Sequence, residues 1–299
     1  MQPLKKKIKN RHPTLRALQR LLEGDLISIN ECIINALDTD IPLICTIGEH
    51  IINSGGKRLR PLLVVLSSLA LGYTGDNEHH ELAVIIEFIH TATLLHDDVV
   101  DASEKRRGQA TANTLWGNQA SILTGDFLYS RAFQLLAKRN NVPVMHVLAN
   151  TTNELAQGEM LQLMSVRKTD LTLTDYQTVI RRKTAQLYAA AAEIGAMLCP
   201  EGPIYRSKAA AFGLHLGNAF QMTDDLLDYT TNTALLDKNC GDDLAEGKMT
   251  LPLILAMQHG TLAEQHCITT ALKEGDRTQL PQIIDIIQKT GAEKLARKM

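Results

Sequence analysis

Three aspartates interrupt an otherwise apolar stretch, LLHDDVVD, at residues 94–101. On a helix, Asp97 and Asp101 would lie one turn apart on the same face, with Asp98 beside them. At a separation of about 5.5 Å and an effective dielectric constant of about 20, each like-charge pair repels by roughly 3 kcal/mol. Carboxylate oxygens suit Mg²⁺, which completes its coordination with water and substrate phosphates. Taken alone, however, an acidic helix end is more often a solvated surface feature.

A second acidic cluster repeats this spacing in FQMTDDLLDY, residues 220–229. Asp224, Asp225 and Asp228 again follow an apolar helical stretch, and two aliphatic residues again separate the aspartate pair from the third. Two acidic helix ends with the same spacing, in separate apolar helices, are hard to explain as solvent-exposed surface features. Together they predict a cleft in which divalent cations hold a ligand that carries phosphates.

Basic residues accompany both clusters, in GGKRLRP at 55–61, EKRRG at 104–108, RRKTAQL at 181–187 and LLDKNCGDDLAEGK at 235–248. Any one of them would ordinarily be a solvated side chain. Collected beside two carboxylate clusters, they indicate a polyanionic ligand with some phosphates bridged through Mg²⁺ and others held directly by Arg and Lys.

The elements that must position these residues all have helical periodicity, and strand-like alternation is almost absent. Central stretches such as ELAVIIEFIHTATLLH are apolar nearly all round, which is typical of helices inside a large bundle. The sequence therefore predicts one all-α domain over 14–299, after a basic tail at 1–13. Apolar residues recur every three or four positions in 14–37, 41–53, 59–71, 79–101, 118–139, 144–165, 174–198, 204–229 and 250–258.

The amino-acid composition limits the ligands and the cellular compartment that we expect. The 299 residues are 44% hydrophobic, and 31 basic residues nearly balance 33 acidic ones. The net charge of −2 gives no global field that would select nucleic acid or an anionic membrane. Five scattered cysteines argue against a disulfide framework and favour a reducing, cytoplasmic setting. The basic tail is followed by no apolar segment, so we expect a protein that is not exported, with at most transient membrane contact.

Taken in order and spacing, these motifs resemble those of the trans-polyprenyl diphosphate synthases, and among them the bacterial octaprenyl type. The resemblance spans residues 14 to 290. The segments that carry it are GGKRLRP, FIHTATLLHDDVVDASEKRRG, GNQASILTGDFLYSRAF, GEMLQLM, KTAQL, GNAFQMTDDLLDY and GDDLAEGKMTLPL.

The resemblance implies a single helical bundle of the isoprenoid synthase type, with a central active-site cavity, in a homodimer. It implies repeated condensation of isopentenyl diphosphate with an allylic primer such as farnesyl diphosphate. The product would be an all-trans chain of about C40 for quinone side chains, made with about three Mg²⁺ ions that stabilise the departing diphosphate.

The resemblance also assigns roles to residues. Asp97, Asp101, Asp224 and Asp228 would hold the metal ions, with Asp98 and Asp225 in support and Lys183 beside them. The allylic diphosphate would be bound by Arg106, Lys183, Thr184, Gln221, Lys238 and Lys248. Isopentenyl diphosphate would occupy a metal-free pocket of Lys57, Arg60, His90 and Arg107.

Product length is expected to depend on the residues one turn before the first metal ligands. Thr93 and Ala92 are small and lie about 5.4 to 7.5 Å back along the helix axis, where a growing chain would leave the diphosphate site. Small side chains there would let the chain continue, with a deeper floor formed by Phe133, Leu136 or Met164.

The chain departs from the family pattern in two places. Asp237 and Asn239 flank the loop lysine where relatives often have Gly and Pro. Relatives also usually continue through further helices beyond GAEKLARKM, so C-terminal helices of the family are expected to be missing.

Three other functions would each use part of this pattern. His96 with Asp97 could begin the HD pair of a metal-dependent phosphohydrolase, but that function gives the second acidic cluster no role. A catalytically silent partner subunit would typically lack one acidic motif. A terpene cyclase would have no use for GGKRLRP.

Overall fold

The computed structural model describes residues 15–230 and 240–299, and its secondary structure confirms the predicted all-α class. The basic tail at 1–13 lies outside the described residues. In chain order the helices are α1 (Leu15–Leu21), α2 (Glu23–Leu37), α3 (Pro42–Asn53), α4 (Leu59–Ala70), α5 (Glu78–Val100), α6 (Ala112–Trp116), α7 (Asn118–Lys138), α8 (Val142–Ser165), α9 (Leu173–Ile180), α10 (Gln186–Met197), α11 (Gly202–Leu227), α12 (Asp242–Ala245), α13 (Leu251–His259), α14 (Leu262–Glu274), α15 (Leu280–Lys289) and α16 (Ala292–Ala296).

Two features depart from the helical stretches read in the sequence. The stretch predicted at 174–198 is interrupted by one π-helical turn, Arg181–Ala185, between α9 and α10. In addition, β1 (Lys105–Arg106) pairs antiparallel with β2 (Gln109–Ala110) in a minimal hairpin after α5. Both departures carry residues of the basic segments.

Helix α5 forms the centre of the bundle. Ile86, Phe88 and Ile89 have no exposed surface although they point in different directions around the helix. The helix is surrounded by α2, α4, α7 and α10. Burial on all sides explains why this stretch lacks an amphipathic pattern. Its last turn carries the first aspartates to the edge of the core.

Small residues allow α10 and α11 to approach closely. A Cβ atom added to Gly213 of α11 would lie 2.3 Å from the backbone oxygen of Tyr188 in α10. One added to Gly217 would lie 2.5 Å from the Cα of Ala185. Because no side chain separates the backbones, the end of α11 with the second aspartate cluster lies against the π-helical turn.

The described apolar residues form two buried clusters. The larger one joins α2 to α8 with α10, and the smaller one joins α9 and the end of α11 to the helices from α12 onward. Within the described part of the chain, no helix combines the length and apolarity needed to cross a membrane.

Replacing Gly213 by alanine should destabilise the protein. The new methyl group would meet a backbone oxygen rather than a movable side chain, and overpacking of this kind costs about 1–3 kcal/mol. Urea unfolding followed by circular dichroism measures the loss. Gly24→Ala in α2 is the matched control, because nothing lies within 4 Å of its added Cβ; equal unfolding midpoints for the two variants would contradict the packing described here.

Candidate active site

The first acidic cluster lies at the C-terminal end of α5. Asp97 is in the last turn, and Asp101 caps the helix by donating its backbone N–H to the Asp97 carbonyl. Two lysines from distant segments approach the carboxylates. The Lys183 Nζ is 3.9 Å from Asp97 Oδ2, and the Lys248 Nζ donates to Asp101 Oδ2 at 3.0 Å. The helix end is therefore an ionic cluster and not a solvated surface.

Asp98 has a different environment. Its carboxylate is 1% exposed and accepts three hydrogen bonds from Arg106, from Nε to Oδ1 at 3.0 Å and to Oδ2 at 3.2 Å and from Nη2 to Oδ1 at 2.7 Å. The β1–β2 hairpin presents Arg106 to it. Such a two-point ion pair fixes both groups. Asp98 thus orients the hairpin, while Arg106 keeps its remaining N–H donors for another ligand.

The second acidic cluster lies at the end of α11. The buried Asp225 accepts hydrogen bonds from the Tyr176 hydroxyl at 2.6 Å and from the Gln221 amide at 2.7 Å. Asp228, also buried, accepts one from the backbone N–H of Asp243 at 3.1 Å. These bonds fix the directions of both carboxylates. Asp224 lies one turn before Asp228 and is only half-buried.

The π-helical turn connects the two clusters. Its Lys183 faces Asp97, while its Thr184 donates to Gln221 at 2.9 Å, and Gln221 in turn donates to Asp225. π-Helical turns are rare and frequent at functional sites. A single backbone turn thus holds one side chain against each acidic cluster.

The segment after α12 makes a second connection. The backbone N–H of Lys248 donates to the Asp243 carbonyl at 2.8 Å, and the Asp243 N–H donates to Asp228. The Lys248 ammonium meanwhile reaches Asp101. Although burial favours the neutral amine, the carboxylates of Asp101 and Glu246 hold the pKa of Lys248 above its ordinary value. Both clusters therefore line one cleft.

Burial and mutual repulsion raise the pKa values of several carboxyl groups in this cleft. The pKa of Asp97 is raised by burial and by Asp101, with Lys183 acting in the opposite direction. Burial raises the pKa of Glu159 to about 7, and the nearby Asp97 contributes to the shift. The pKa of Asp243 is raised well above its ordinary value by burial and by Asp225 and Asp228. Burial is the largest cause of all three shifts and neighbouring carboxylates add to each, so binding of further cations would favour the ionised carboxylates.

Glu159 and Asp243 were missed as candidate site residues. Glu159 accepts a hydrogen bond from Lys183 at 2.7 Å. It follows Gly158, where an added Cβ would lie 2.5 Å from the Lys183 backbone nitrogen, so the absence of a side chain lets α8 touch the π-helical turn. The GE pair in GEMLQLM and the second aspartate of GDDLAEGK were the available signals.

A separate basic pocket surrounds His90, two turns before Asp97 on α5. Arg60 donates from Nη1 to His90 Nε2 at 3.1 Å and stacks on the Tyr188 ring, with its guanidinium carbon 4.4 Å from the ring centroid. Burial, followed by the charges of Arg60 and three further arginines, keeps the pKa of His90 well below its usual value. His90 is therefore neutral, and because its Nε2 accepts from Arg60, its proton is on Nδ1.

The glycine-rich segment provides space for Arg107 in the same pocket. A Cβ added to Gly56 would lie 2.8 Å from Arg107 Nη1. Partial burial and the neighbouring Arg106 lower the pKa of Arg107. Glu87 is a carboxylate counter-charge there, and it is in contact with Arg58. Because Glu87 offsets only part of the positive charge of these arginines, the pocket suits a bound anion.

The other predicted binding and chain-length residues differ in their exposure. Lys57 is exposed, and Lys238 lies outside the described residues. Ala92 is fully buried, whereas Thr93 is half-buried and bonds its hydroxyl to the His90 carbonyl at 2.8 Å. Phe133 of α7 is half-buried against the core, Leu136 is fully buried, and Met164 is 59% exposed.

His96 is directed away from the acidic cluster. Its Nε2 lies 3.2 Å from the Ile122 carbonyl and 3.3 Å from Asp126, both on α7. A Cβ added to Gly125 would collide with the ring. The HD pair of a phosphohydrolase, which would need His96 and Asp97 on one metal, is not formed.

Comparison with known proteins agrees with this geometry. Residues 41–287 match the family described as "Polyprenyl synthetase". Octaprenyl diphosphate synthase of Escherichia coli (strain K12) is 45% identical over 285 residues, covering 95% of this chain and 88% of that protein. All-trans-nonaprenyl-diphosphate synthase (geranyl-diphosphate specific) of Rhodobacter capsulatus is 42% identical over 268 residues, covering 90% of this chain and 82% of that protein.

One solved structure is similar to this chain over nearly its whole length. Polyprenyl synthase from Caulobacter crescentus CB15, complexed with calcium and isoprenyl diphosphate, is 39% identical, and the superposition has a TM-score of 0.90 over 96% of this chain and 88% of that one. The isoprenoid synthase fold expected from the motifs is thereby confirmed. With a family match over most of its length and relatives above 40% identity, this chain belongs to the polyprenyl synthetase family and is a transferase that builds polyprenyl diphosphates.

Proposed function

We propose that this enzyme condenses isopentenyl diphosphate repeatedly with an allylic diphosphate, with farnesyl diphosphate as primer, to give an all-trans polyprenyl diphosphate. The observation that carries the proposal is the pairing of two differently charged sites. A carboxylate-rich cleft lies between the ends of α5 and α11, and an arginine-rich pocket lies two helical turns away along α5. Two diphosphates, only one of which must ionise, need two such sites.

The carboxylate-rich cleft fits Mg²⁺. Its donors are oxygen atoms, and its buried carboxyl groups have raised pKa values. We assign a supporting role to Asp98, which accepts hydrogen bonds from Arg106, and to Asp225, which accepts them from Tyr176 and Gln221. The remaining aspartates, Asp97, Asp101, Asp224 and Asp228, would hold about three ions, which when bound supply Lewis-acid stabilisation of the charge that develops on the leaving diphosphate.

The chain's own basic residues bind the same allylic diphosphate. Lys183 and Lys248 already lie among the aspartates, and an incoming diphosphate offers each ammonium additional anionic oxygens. Arg106 donates its remaining N–H groups, and Lys238 is assigned to the same ligand. Thr184 and Gln221 act indirectly, because their hydrogen bonds hold Asp225 in one orientation.

The arginine-rich pocket binds isopentenyl diphosphate without a metal. Arg60 and Arg107 supply charge, Lys57 reaches in from its exposed position, and neutral His90 offers its Nδ1–H as a further donor. This diphosphate is gripped but not activated. Its double bond attacks the allylic cation formed in the neighbouring cleft, and the apolar core around α5 excludes the water that would quench that cation.

We further propose a product of about C40, consistent with the small side chains of Ala92 and Thr93 one turn before the metal ligands. The relatives named above are octaprenyl and nonaprenyl diphosphate synthases, whose names correspond to this length and to one five-carbon unit more. A homodimer in the cytoplasm, supplying quinone side chains, completes the proposal. Exposed apolar side chains on α6 and α7, including Leu115 (50%) and Leu123 (65%), suit a subunit interface.

Incubation of the purified enzyme with labelled isopentenyl diphosphate, farnesyl diphosphate and Mg²⁺ tests the function. Elongated prenyl diphosphates are expected. A cyclic hydrocarbon would instead establish a terpene cyclase. Absence of any product from protein that binds both substrates would establish a silent partner subunit.

Variants should separate the two diphosphate sites kinetically. Arg107→Gln removes a charge from the arginine-rich pocket and should raise the KM for isopentenyl diphosphate at least about tenfold, since a charged hydrogen bond contributes roughly 1.5–3 kcal/mol. The KM for farnesyl diphosphate should stay near the wild-type value. Lys248→Met should give the opposite pattern, together with a fall in kcat. Equal effects on both KM values in both variants would show that the sites are not distinct.

Bulky side chains before the first acidic cluster should shorten the product. Thr93→Phe places a ring at a half-buried position on the face of Asp97, and Ala92→Phe adds one in the core. Chromatography of the dephosphorylated prenyl alcohols should show shorter chains in each. Ala263→Phe, on the exposed surface of α14, controls for the substitution. Folded variants with unchanged chain length would refute this placement of the chain.

A further inference from the structure

A second group of metal-ligating side chains lies at the opposite end of α5. His79 and His80 are in its first turn, Asp25 is in the first turn of α2, and one ligand atom from each lies within 4.8 Å of the others. His79 precedes Asp97 by 18 residues, which corresponds to about 27 Å along a helix. The group is therefore separate from the acidic clusters of the active site.

The protonation of His79 is fixed by its backbone neighbour. Its Nδ1 is 3.2 Å from the Asp76 carbonyl oxygen, which can only accept, so the proton is on Nδ1. A neutral ring then presents the lone pair of Nε2 to Asp25 Oδ1, 3.4 Å away. Two acceptors that face each other across this gap repel, and a metal ion between them would bind both.

The cluster is nearly closed on the histidine side. His79 and His80 are 7% and 6% exposed, whereas the Asp25 side chain is 23% exposed. A metal ion can satisfy both the lone pair of His79 and the carboxylate of Asp25, and water can complete its coordination from the side of Asp25.

His80 can become a ligand by a change of tautomer. Its Nε2 is 2.8 Å from Asp25 Oδ1, and its buried Nδ1 has no hydrogen-bond partner among the described residues. Moving the ring proton from Nε2 to Nδ1 gives up the hydrogen bond to Asp25, which a shared metal ion would replace, and frees Nε2. Ligands around tetrahedral Zn²⁺ are about 3.3 Å apart, so the 3.4 Å gap at His79 already fits and the contact at His80 must open slightly.

The surroundings favour a cation. A depression beside the cluster is lined by Asp76, Glu78 and Glu81, with Arg139 in contact with Glu81. The Tyr73 ring packs edge-on against His79, with centroids 5.1 Å apart, and covers the cluster on that side. These acidic residues would raise the local concentration of cations near the cluster.

We propose that Asp25, His79 and His80 bind a borderline transition-metal ion of the Zn²⁺ class, completed by water, which ties α2 to the start of α5. Two imidazoles and one carboxylate suit such an ion. The oxygen-only active-site cleft suits a hard cation instead. The role is structural and independent of the prenyl transfer proposed above.

Titration with Co²⁺, a coloured substitute for Zn²⁺, tests the site on the full chain. With Mg²⁺ in large excess to occupy the active-site carboxylates, we expect one Co²⁺ per chain with the intense visible absorption of a tetrahedral ion, displaced by Zn²⁺. Zn²⁺ should also raise the Tm. His79→Gln and Asp25→Asn should each weaken Co²⁺ binding at least about tenfold, as removing metal-site partners commonly does.

Two controls separate a metal site from a structural hydrogen bond. The amide oxygen introduced by Asp25→Asn can still accept from His80, so the metal-free Tm should change little while the Zn²⁺-dependent rise disappears. His266→Gln, at an exposed histidine of α14, should bind Co²⁺ like the wild type. The proposal is overturned if no intense absorption develops, if Asp25→Asn binds equally well, or if binding is lost in Asp97→Asn instead.

Discussion

Repulsion among carboxylates held at the ends of two core helices is the constraint on which the rest of the structure depends. α5 and α11 each end in aspartates that the fold keeps half-buried or buried, where like charges interact strongly. Lys183 and Lys248 reach this cleft from separate segments and offset part of the charge. Burial, with a contribution from neighbouring carboxylates, nevertheless raises the pKa values of Asp97 and Asp243. The cleft is thus prepared for further cations and for the anion they would carry.

The same electrostatic reasoning distinguishes the two halves of the site. Around His90, arginines outnumber carboxylates, and burial together with four guanidinium groups keeps the pKa of the histidine well below its usual value. An anion bound there needs no metal. Arg106 and Arg107 are adjacent in the β1–β2 hairpin, yet Arg106 faces Asp98 whereas Arg107 faces Gly56. One short hairpin therefore supplies an arginine to each half of the site. In the proposed reaction, one diphosphate is activated by metal ions and the other is only bound.

Much of this arrangement could be predicted from the sequence, because it depends on local patterns. Helical periodicity predicted α5 and α11, and the repeated aspartate spacing predicted an acidic cluster at each C-terminal end. The π-helical turn could not be predicted, since a register shift within a continuous apolar pattern leaves no signal. Glu159 could not be predicted either, because its contact with Lys183 depends on the close approach of α8 to that turn, which Gly158 permits. The ion pair of Asp98 likewise depends on a two-residue hairpin too short for strand alternation.

A crystal structure with Mn²⁺ in place of Mg²⁺ and a non-hydrolysable farnesyl thiodiphosphate would test the central claim most directly, because Mn²⁺ can be located by its anomalous scattering. We predict metal peaks beside Asp97 and Asp101 and beside Asp224, with the thiodiphosphate between the two helix ends and in contact with Lys183 and Lys248. The account would be contradicted by aspartate clusters without metal, or by a thiodiphosphate bound only among the arginines around His90.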